Sequence, residues 1–233
     1  MLPVLFMLRP LWGSWDELQL APFYAWTWNS LRLASLTAVL ATVLAVALGL
    51  LDRVRPGRTS SMLGSGIGLG YAVPGAVVVV GLLLPVGWLQ NWMPQSPLGA
   101  LLTATSMGLV WAYLVRFTAV ALQPVQSGYS RIPRSLDESA RLLGCDGWPL
   151  LTRVHGPLLR RTTAAAALLV FVDVMKELPA TLVLRPFNSD TLAVMAYQLA
   201  RDERLGEAAL PSLALVLVGL LPVIVISRTL RAR

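Results

Sequence analysis

Three charged side chains lie inside an otherwise apolar segment. Asp173, Lys176 and Glu177 are spaced i, i+3 and i+4, so a continuous helix would carry them on one face. Counting about 1.5 Å per residue from Arg161, Asp173 would lie roughly 18 Å deep in a membrane. Each charge at that depth costs about 2.5–3.5 kcal/mol, and Lys176 can neutralise one carboxylate. The group therefore either forms an ion cluster that packs this helix or lines a polar path.

A second set of candidates lies in a polar, basic stretch at 135–157, between apolar segments. Ser135 and Glu138 have the spacing of a capping box, which predicts a helix that begins just after Ser135. Gly144 supplies the left-handed residue that ends such a helix, and Asp146 can cap a second short helix. The stretch predicts a helix–turn–helix element outside the membrane core, and an ordinary structured loop is the alternative. The apolar face of its first helix would be formed by Leu136, Ala140 and Leu143.

The sequence offers few of the residues that enzymes and metal sites require. It has no GxxxxGK(S/T) phosphate loop, so the chain is not expected to hydrolyse ATP by itself. Its one histidine, His155, lies in the polar stretch and is interpreted as structural, and its one cysteine, Cys145, permits no internal disulfide. No His/Cys cluster has metal-ligand spacing. We therefore expect neither an enzyme nor a resident cofactor or metal.

The composition indicates a membrane protein. Apolar residues make up 56% of the chain and charged residues 13%, about half the charged share of a soluble domain. The predicted fold class is all-α, a polytopic integral membrane protein. Residues 1–28 are predicted as an external N-terminal segment whose apolar start is an interfacial stub or the remnant of a span. Five segments are long enough to cross a bilayer, at 29–51, 66–89, 98–122, 158–178 and 210–227.

The arginines predict the orientation of these segments. When five spans are threaded, twelve arginines fall on one side: Arg53, Arg55, Arg58, Arg131, Arg134, Arg141, Arg153, Arg160, Arg161, Arg228, Arg231 and Arg233. The other side receives Arg9, Arg185, Arg201 and Arg204. By the positive-inside rule, the central loop and the C-terminus are cytoplasmic and the N-terminus is outside.

Glycines at a spacing of four open the second apolar segment. Gly64 with Gly68, and Gly66 with Gly70, have this spacing, which favours close packing of membrane helices over a phosphate-binding loop. Pro74 interrupts the same segment and predicts a kink.

The polar stretch resembles the EAA motif in the membrane subunits of ATP-binding-cassette (ABC) importers. That motif reads Glu-Ala-Ala, three residues, Gly, nine residues, then Ile-x-Leu-Pro. The matching positions are Glu138, Ala140, Gly144 and Pro157, whereas Ser139, Val154 and Gly156 replace an Ala, the Ile and the Leu. In that family the stretch forms a pair of coupling helices that dock on a cytoplasmic ATPase. The resemblance implies an ATPase-coupling role for these residues and a dimeric ATP-binding subunit as partner.

Two further strings resemble the ferric iron(III) permeases of this family. They are GYAVPG, which contains Pro74, and DVMKELPATLVLRPF, which contains the intramembrane charges. The resemblance implies the five-helix core of the type I, MetI-like importer permease, with a transmembrane domain at 29–233 and a cytoplasmic coupling loop at 123–157. It also implies that Asp173, Lys176, Glu177 and Pro74 lie on the translocation path.

The implied function is translocation of ferric iron, delivered by a periplasmic iron-binding protein, across a bacterial inner membrane. A second permease half would complete the path, as a second copy or as a fused homologous half. Alternatives within the class are permeases for thiamine, sulfate or polyamines. A secondary transporter or channel is another alternative, although the inverted repeats expected of many such folds are not evident. A membrane scaffold without transport activity is the third.

Cysteine labelling tests the predicted orientation. With Cys145 replaced by Ser, we expect Gly57→Cys and Ser130→Cys to react with a membrane-impermeant maleimide from the cytoplasmic side. Met93→Cys and Glu203→Cys should react from outside, because an odd number of spans separates them from the first pair. The reverse pattern, or reaction of all four positions from one side, would contradict the five-span arrangement.

Overall fold

The structure, a computed structural model, describes residues 2–13, 18, 20–54, 57–94 and 97–231. Throughout these residues the regular elements are helical, which confirms the predicted all-α fold class. Arg55 and Arg233, which enter the orientation argument, lie outside the described residues. The helices are α1 (Leu2–Gly13), α2 (Leu20–Val54), α3 (Arg58–Ala72), α4 (Gly75–Trp92), α5 (Pro97–Ala104), α6 (Ser106–Ser130), α7 (Arg134–Leu142), α8 (Gly156–Met175), α9 (Pro179–Leu184), α10 (Leu192–Arg201) and α11 (Leu205–Arg231), with a π-helical turn at Leu150–His155.

Four stretches within the described helices are long and apolar enough to cross a membrane: Leu20–Val54, Gly75–Trp92, Ser106–Ser130 and Leu205–Pro222. The predicted segment 158–178 corresponds to α8, which is more polar because it carries Arg160, Arg161 and Asp173. It nevertheless packs between α2 and α6.

Two predicted spans are each broken into two helices. The segment 66–89 is divided between α3 and α4 at Pro74, whose φ of −55° and ψ of 139° are extended rather than helical. Pro74 has no N–H and its ring crowds the preceding turn, so a helix cannot continue through it undisturbed. The segment 98–122 is divided between α5 and α6 at Thr105, whose hydroxyl accepts a hydrogen bond from the Met107 N–H (3.2 Å).

The core is formed by α2, α6 and α8, which pack against one another, while α3 packs on α6 and α1 and α10 pack on α11. Small side chains at the contacts let the helix backbones approach, as is common between membrane helices. The fully buried alanines there are Ala34, Ala41 and Ala45 of α2, Ala112 and Ala121 of α6, and Ala166 of α8.

The glycines of α3 differ in their packing. A Cβ atom added to Gly70 would lie 2.1 Å from the Val115 carbonyl oxygen of α6, so only glycine permits this approach. Added to Gly64 it would meet the Gln126 amide at 3.6 Å, whereas at Gly66 and Gly68 nothing lies within 4 Å. The predicted packing role is therefore confirmed at Gly70, whereas Gly66 and Gly68 meet no other helix among the described residues of this chain.

The N-terminal segment 1–28 is partly helical. It contains α1, which packs along α11, and the first turns of α2, which begins at Leu20 rather than near residue 29. At the same end of the bundle, the link between α9 and α10 is tied to α2. The Asn29 amide donates to the Asp190 carbonyl (3.1 Å), and the Leu192 N–H donates to the Ser30 hydroxyl (2.9 Å).

Candidate functional site

The polar stretch is anchored by a buried ion pair between the end of α2 and α7. Arg53 Nε lies 2.5 Å from Asp137 Oδ2, and Arg53 Nη2 lies 3.1 Å from Oδ1. The two side chains are 9% and 10% exposed. The same guanidinium donates to three carbonyl oxygens of the link between α6 and α7, at Tyr129 (2.9 Å), Ile132 (2.9 Å) and Pro133 (3.1 Å). One arginine therefore fixes where α7 lies on the bundle.

His155 joins this pair from the other end of the polar stretch. Its Nε2 donates to Asp137 Oδ1 at 2.9 Å, and its side chain is fully buried. Its ring lies edge-on to Tyr129, with ring centres 5.4 Å apart. The clamp formed by Arg53, Asp137 and His155 thus ties α2, α7 and the start of α8 together.

The charge of Asp137 is maintained by its partners. Burial raises the pKa of this carboxyl group, but the hydrogen bonds from Arg53 and His155 outweigh burial and leave the pKa below its usual value of 3.8. A depressed folded-state pKa contributes stability that is complete above the ordinary value and is lost as the pH falls through the folded value. The clamp is therefore intact at neutral pH.

The start of α7 differs from the prediction. The helix begins at Arg134, and its N-cap is Pro133, with no side-chain cap hydrogen bond. The capping box predicted for Ser135 and Glu138 is therefore wrong. The fixed φ of Pro133 (−64°) already prepares the chain for a helical turn, and Asp137 in the first turn suits the positive helix end.

The end of α7 agrees with the prediction. Gly144 has a φ of +78°, and its N–H donates to the Arg141 carbonyl at 2.9 Å. Nothing would crowd an added Cβ there, so glycine is required by conformation rather than by space. Asp146 does not cap a second α-helix. It accepts from the Gly147 N–H at 2.8 Å, and a π-helical turn follows.

The π-helical turn at Leu150–His155 leads directly into α8. Pro157 in the first turn of α8 cannot donate to the carbonyl one turn earlier, and the Gly156 N–H bonds to the Leu151 carbonyl, five residues back. This wider turn brings His155 inward to Asp137.

The residues of the EAA-like motif are mostly exposed on this anchored element. Ala140 is buried and Val154 is half-buried, whereas exposed positions are Glu138, Ser139, Gly144, Gly156 and Pro157. The predicted apolar face of α7 is wrong at Leu136, which is 38% exposed, and at Leu143, which is 84% exposed. Leu142 (90%) and Trp148 (73%) are also exposed on this otherwise polar element, and with Leu143 they are called the apolar tip. Exposed large apolar side chains of this kind are typical of an interaction surface.

A second ion pair lies inside the bundle. Arg116 Nη1 of α6 lies 2.5 Å from Glu177 Oε2, and the side chains are 14% and 7% exposed. Glu177 Oε1 also accepts from the Ala180 N–H (3.1 Å) at the start of α9. Sequence reasoning missed Arg116, although it is the only charged residue in the segment 98–122 and on that ground needed a partner.

The predicted trio of charges is divided into two ion pairs. Lys176 Nζ lies 2.8 Å from Asp173 Oδ1, while Glu177 pairs with Arg116, so neither carboxylate is left without a counter-charge. The trio does not share one helix face, because α8 ends at Met175. Continuation of α8 is opposed by Pro179, which would have to bond the Met175 carbonyl.

The break at Pro74 lies directly against the Arg116–Glu177 pair. A Cβ atom added to Gly75 would lie 2.7 Å from Arg116 Nη1 and 2.7 Å from Glu177 Oε1. The structure thus places Glu177 beside the helix break, whereas Lys176 is 65% exposed and points away from that pair. The helix break at Pro74, the Arg116–Glu177 ion pair and the start of α9 therefore lie side by side.

Comparison with known proteins gives one family and a set of relatives. Residues 39–232 match the family described as "Binding-protein-dependent transport system inner membrane component". The chain is 30% identical over 174 residues to the maltose/maltodextrin transport system permease protein MalG of Photorhabdus laumondii, covering 74% of this chain and 57% of that protein. Against MalG of Escherichia coli K12 it is 30% identical over 179 residues, with the same coverage. The chain thus spans a little over half the length of these relatives.

Solved structures share the fold. A chain of the bacterial alginate ABC transporter, solved with an alginate pentasaccharide-bound periplasmic protein, superposes with a TM-score of 0.73 at 15% identity, over 95% of this chain and 85% of that one. A chain of the inward-facing MetNI methionine ABC transporter gives 0.61 at 16% identity, over 88% and 93%. The predicted MetI-like permease fold is thereby confirmed.

Replacing Asp137 by Asn tests the clamp. The change leaves Arg53 buried without its counter-charge, and breaking a buried pair in this way typically costs about 3–5 kcal/mol. We expect a lower thermal unfolding temperature of the detergent-solubilised protein at pH 7. The difference from the wild type should shrink only as the pH falls below 3.8, where the carboxyl of the unfolded chain begins to take up a proton, and through the lower pKa of the folded state.

Asp146→Asn is the matched control, because Asp146 is 76% exposed and lies 3.5 Å from an exposed Arg141. An exposed pair contributes about 0–1 kcal/mol, so this variant should unfold near the wild-type temperature. Equal unfolding temperatures for the two variants would show that the clamp does not stabilise the fold.

A double-mutant cycle tests the intramembrane pair. Glu177→Gln and Arg116→Met each leave one buried charge uncompensated, whereas the double variant leaves none. We expect both single variants to unfold at lower temperature than the double variant. Lys176→Arg serves as the control, because it keeps the positive charge that pairs with Asp173 and Lys176 is largely exposed. Additive losses would contradict a direct pairing.

Proposed function

Because the chain belongs to the family of binding-protein-dependent transport system inner membrane components, we propose that it carries a solute inward as the permease subunit of an ATP-driven importer. The subunit spans the bacterial inner membrane and is coupled to a separate cytoplasmic ATPase dimer. Family membership favours this function over a secondary transporter, a channel or a scaffold. The orientation proposed from the arginines, with the N-terminus outside and the C-terminus in the cytoplasm, places the polar stretch where an ATPase can reach it.

The observation that carries the coupling proposal is the apolar tip on a rigidly anchored polar element. Leu142, Leu143 and Trp148 expose large apolar surfaces to water, which is unfavourable unless a partner covers them. The clamp fixes the element that carries them to α2 and α8. A partner bound at the apolar tip therefore acts on the membrane helices rather than on a loose loop.

The proposed solute is ferric iron, delivered by a periplasmic iron-binding protein. The support for this solute is the resemblance of GYAVPG and DVMKELPATLVLRPF to iron(III) permeases. These strings contain the helix break at Pro74 and the charges Asp173, Lys176 and Glu177, and we propose that these residues belong to the path. A second permease half, as a second copy or a fused homologous half, completes that path.

A sugar is the second candidate solute. It is favoured by the relatives that are 30% identical, which are permeases of maltose/maltodextrin transport systems. For iron, the solute-binding protein would supply most of the selectivity, since no group of three or more His, Cys, Asp or Glu residues suited to a metal ion occurs in the described part of the chain.

Replacing Leu142 and Leu143 together by Ser tests the coupling surface. Burial of each leucine is worth about 1.5–3 kcal/mol, so we expect copurification of the ATPase subunit to fall about tenfold or more. Membrane insertion should be unchanged. Phe187→Ser is the control, because Phe187 is also exposed (98%) but follows α9 on the side proposed as external. Wild-type copurification by the double variant would contradict docking at the apolar tip.

Uptake by reconstituted vesicles tests the solute. Vesicles that contain this chain, its ATPase and its second permease half are supplied with a binding protein loaded with radiolabelled iron or with labelled maltose. We expect ATP-dependent uptake of iron and none of maltose. Uptake of maltose alone would replace iron by the second candidate, and failure of ATP to stimulate uptake of either would contradict both.

A further inference from the structure

A groove opens on the bundle between α3, α6 and α8. Its volume is about 490 Å³, and it is bounded by Gly68 and Tyr71 of α3, by Leu169 of α8, and by residues of α6, of which Gln123 and Ser127 are polar and Ala119, Val120 and Pro124 are apolar. Gly68 has open space on its side-chain face, which keeps the groove clear at that point. The groove is a separate feature from the buried ion pair and from the clamp.

Helical spacing extends polar character from this groove along α6. Ser127, Gln123 and Arg116 are separated by four and seven residues, so they follow one face of the helix. Gln123 and Ser127 are exposed in the single chain. If this face met lipid tails, an amide and a hydroxyl would lose their water without a partner, which is costly.

Polar residues also lie on α8, beyond the groove. Asp173 lies one turn beyond Leu169 and therefore on the same face, and its partner Lys176 is 65% exposed. An exposed ammonium within a membrane segment faces a water-filled cavity rather than lipid. Polar side chains therefore lie in the groove on α6 and about one turn beyond it on α8.

The lipid-facing surface of the bundle looks different. On α2, exposed positions at helical spacing are apolar: Leu40, Val43, Leu44 and Leu51, with Ala47 among them. Contact with lipid accounts for the apolar residues of this α2 face, but it does not account for the polar residues Gln123 and Ser127 in the groove.

We propose that the groove is the cytoplasmic half of the solute path, and that Tyr71, Gln123 and Ser127 contact the solute there. This assignment rests on the proposed transport function. The three side chains offer a phenol, an amide and a hydroxyl, all uncharged hydrogen-bonding groups. They match oxygens on the surface of a solute, either the water shell of an iron ion or the hydroxyls of a sugar. Uncharged contacts bind a cation weakly and so permit its release into the cytoplasm.

Thiol accessibility in the assembled importer tests this assignment. In the Cys145→Ser background, Gln123→Cys is compared with Ala47→Cys, since each lies seven residues before the end of its helix, at Ser130 and Val54. A small, charged methanethiosulfonate reagent is added from the cytoplasmic side. Because the thiolate forms only where water is present, we expect Gln123→Cys to react about tenfold faster than Ala47→Cys. Reaction at Gln123→Cys should also block uptake.

Protection from labelling identifies the solute. During ATP turnover, an iron-loaded binding protein should slow the reaction of Gln123→Cys if iron uses the groove, and a maltose-loaded one should slow it if sugar does. Equal reaction rates at Gln123→Cys and Ala47→Cys would place the groove in lipid and overturn the assignment. That outcome is distinct from failure of the transport function, because the rate is measured without any solute and ATP-driven uptake is measured separately.

Discussion

The fold depends on one buried carboxylate. Asp137 accepts two hydrogen bonds from Arg53 and one from His155, so its partners come from α2 and from the far end of the polar stretch. A charge so far removed from water is stable only when paired and hydrogen-bonded. The position of α7 is therefore determined by electrostatic satisfaction, which leaves its leucines free to face a partner.

The membrane interior imposes the same requirement on a second site. Breaks in α3–α4 and α8–α9 release backbone groups that lipid cannot satisfy. Glu177 helps to satisfy these groups with both its side chain and its backbone. The carboxylate accepts from the Ala180 N–H, and the carbonyl accepts from the Thr181 hydroxyl (2.7 Å). Thr181 in turn contacts the Tyr113 hydroxyl at 2.6 Å. Arg116 balances the remaining charge, so irregular backbone is tolerated where side chains of α6 surround it.

Sequence reasoning succeeded where the physics is local. Apolar length found the regions of the four helices long enough to cross a membrane, although not their ends, and the left-handed turn at Gly144 followed from the need to end a helix. It failed where partners are distant in the chain. Arg53 and Asp137 are 84 residues apart, and no spacing rule joins them. For the same reason the spacing placed Lys176 and Glu177 on one helix face, although the counter-charge of Glu177 is Arg116 on α6. The capping box was wrong because Pro133 can begin a helix without a side-chain cap.

The two buried charge sites are connected by two helices, α6 and α8. Helix α6 carries Arg116 and ends next to Tyr129, whose carbonyl accepts a hydrogen bond from Arg53. Helix α8 begins directly after His155 and ends just before Glu177. The two helices are closely packed: a Cβ atom added to Gly128 of α6 would lie 2.8 Å from Leu159 and 3.1 Å from Thr162 of α8. Close-packed helices resist independent sliding. The apolar tip and the helix break beside Gly75 are therefore connected through two closely packed helices, each anchored at both buried charge sites.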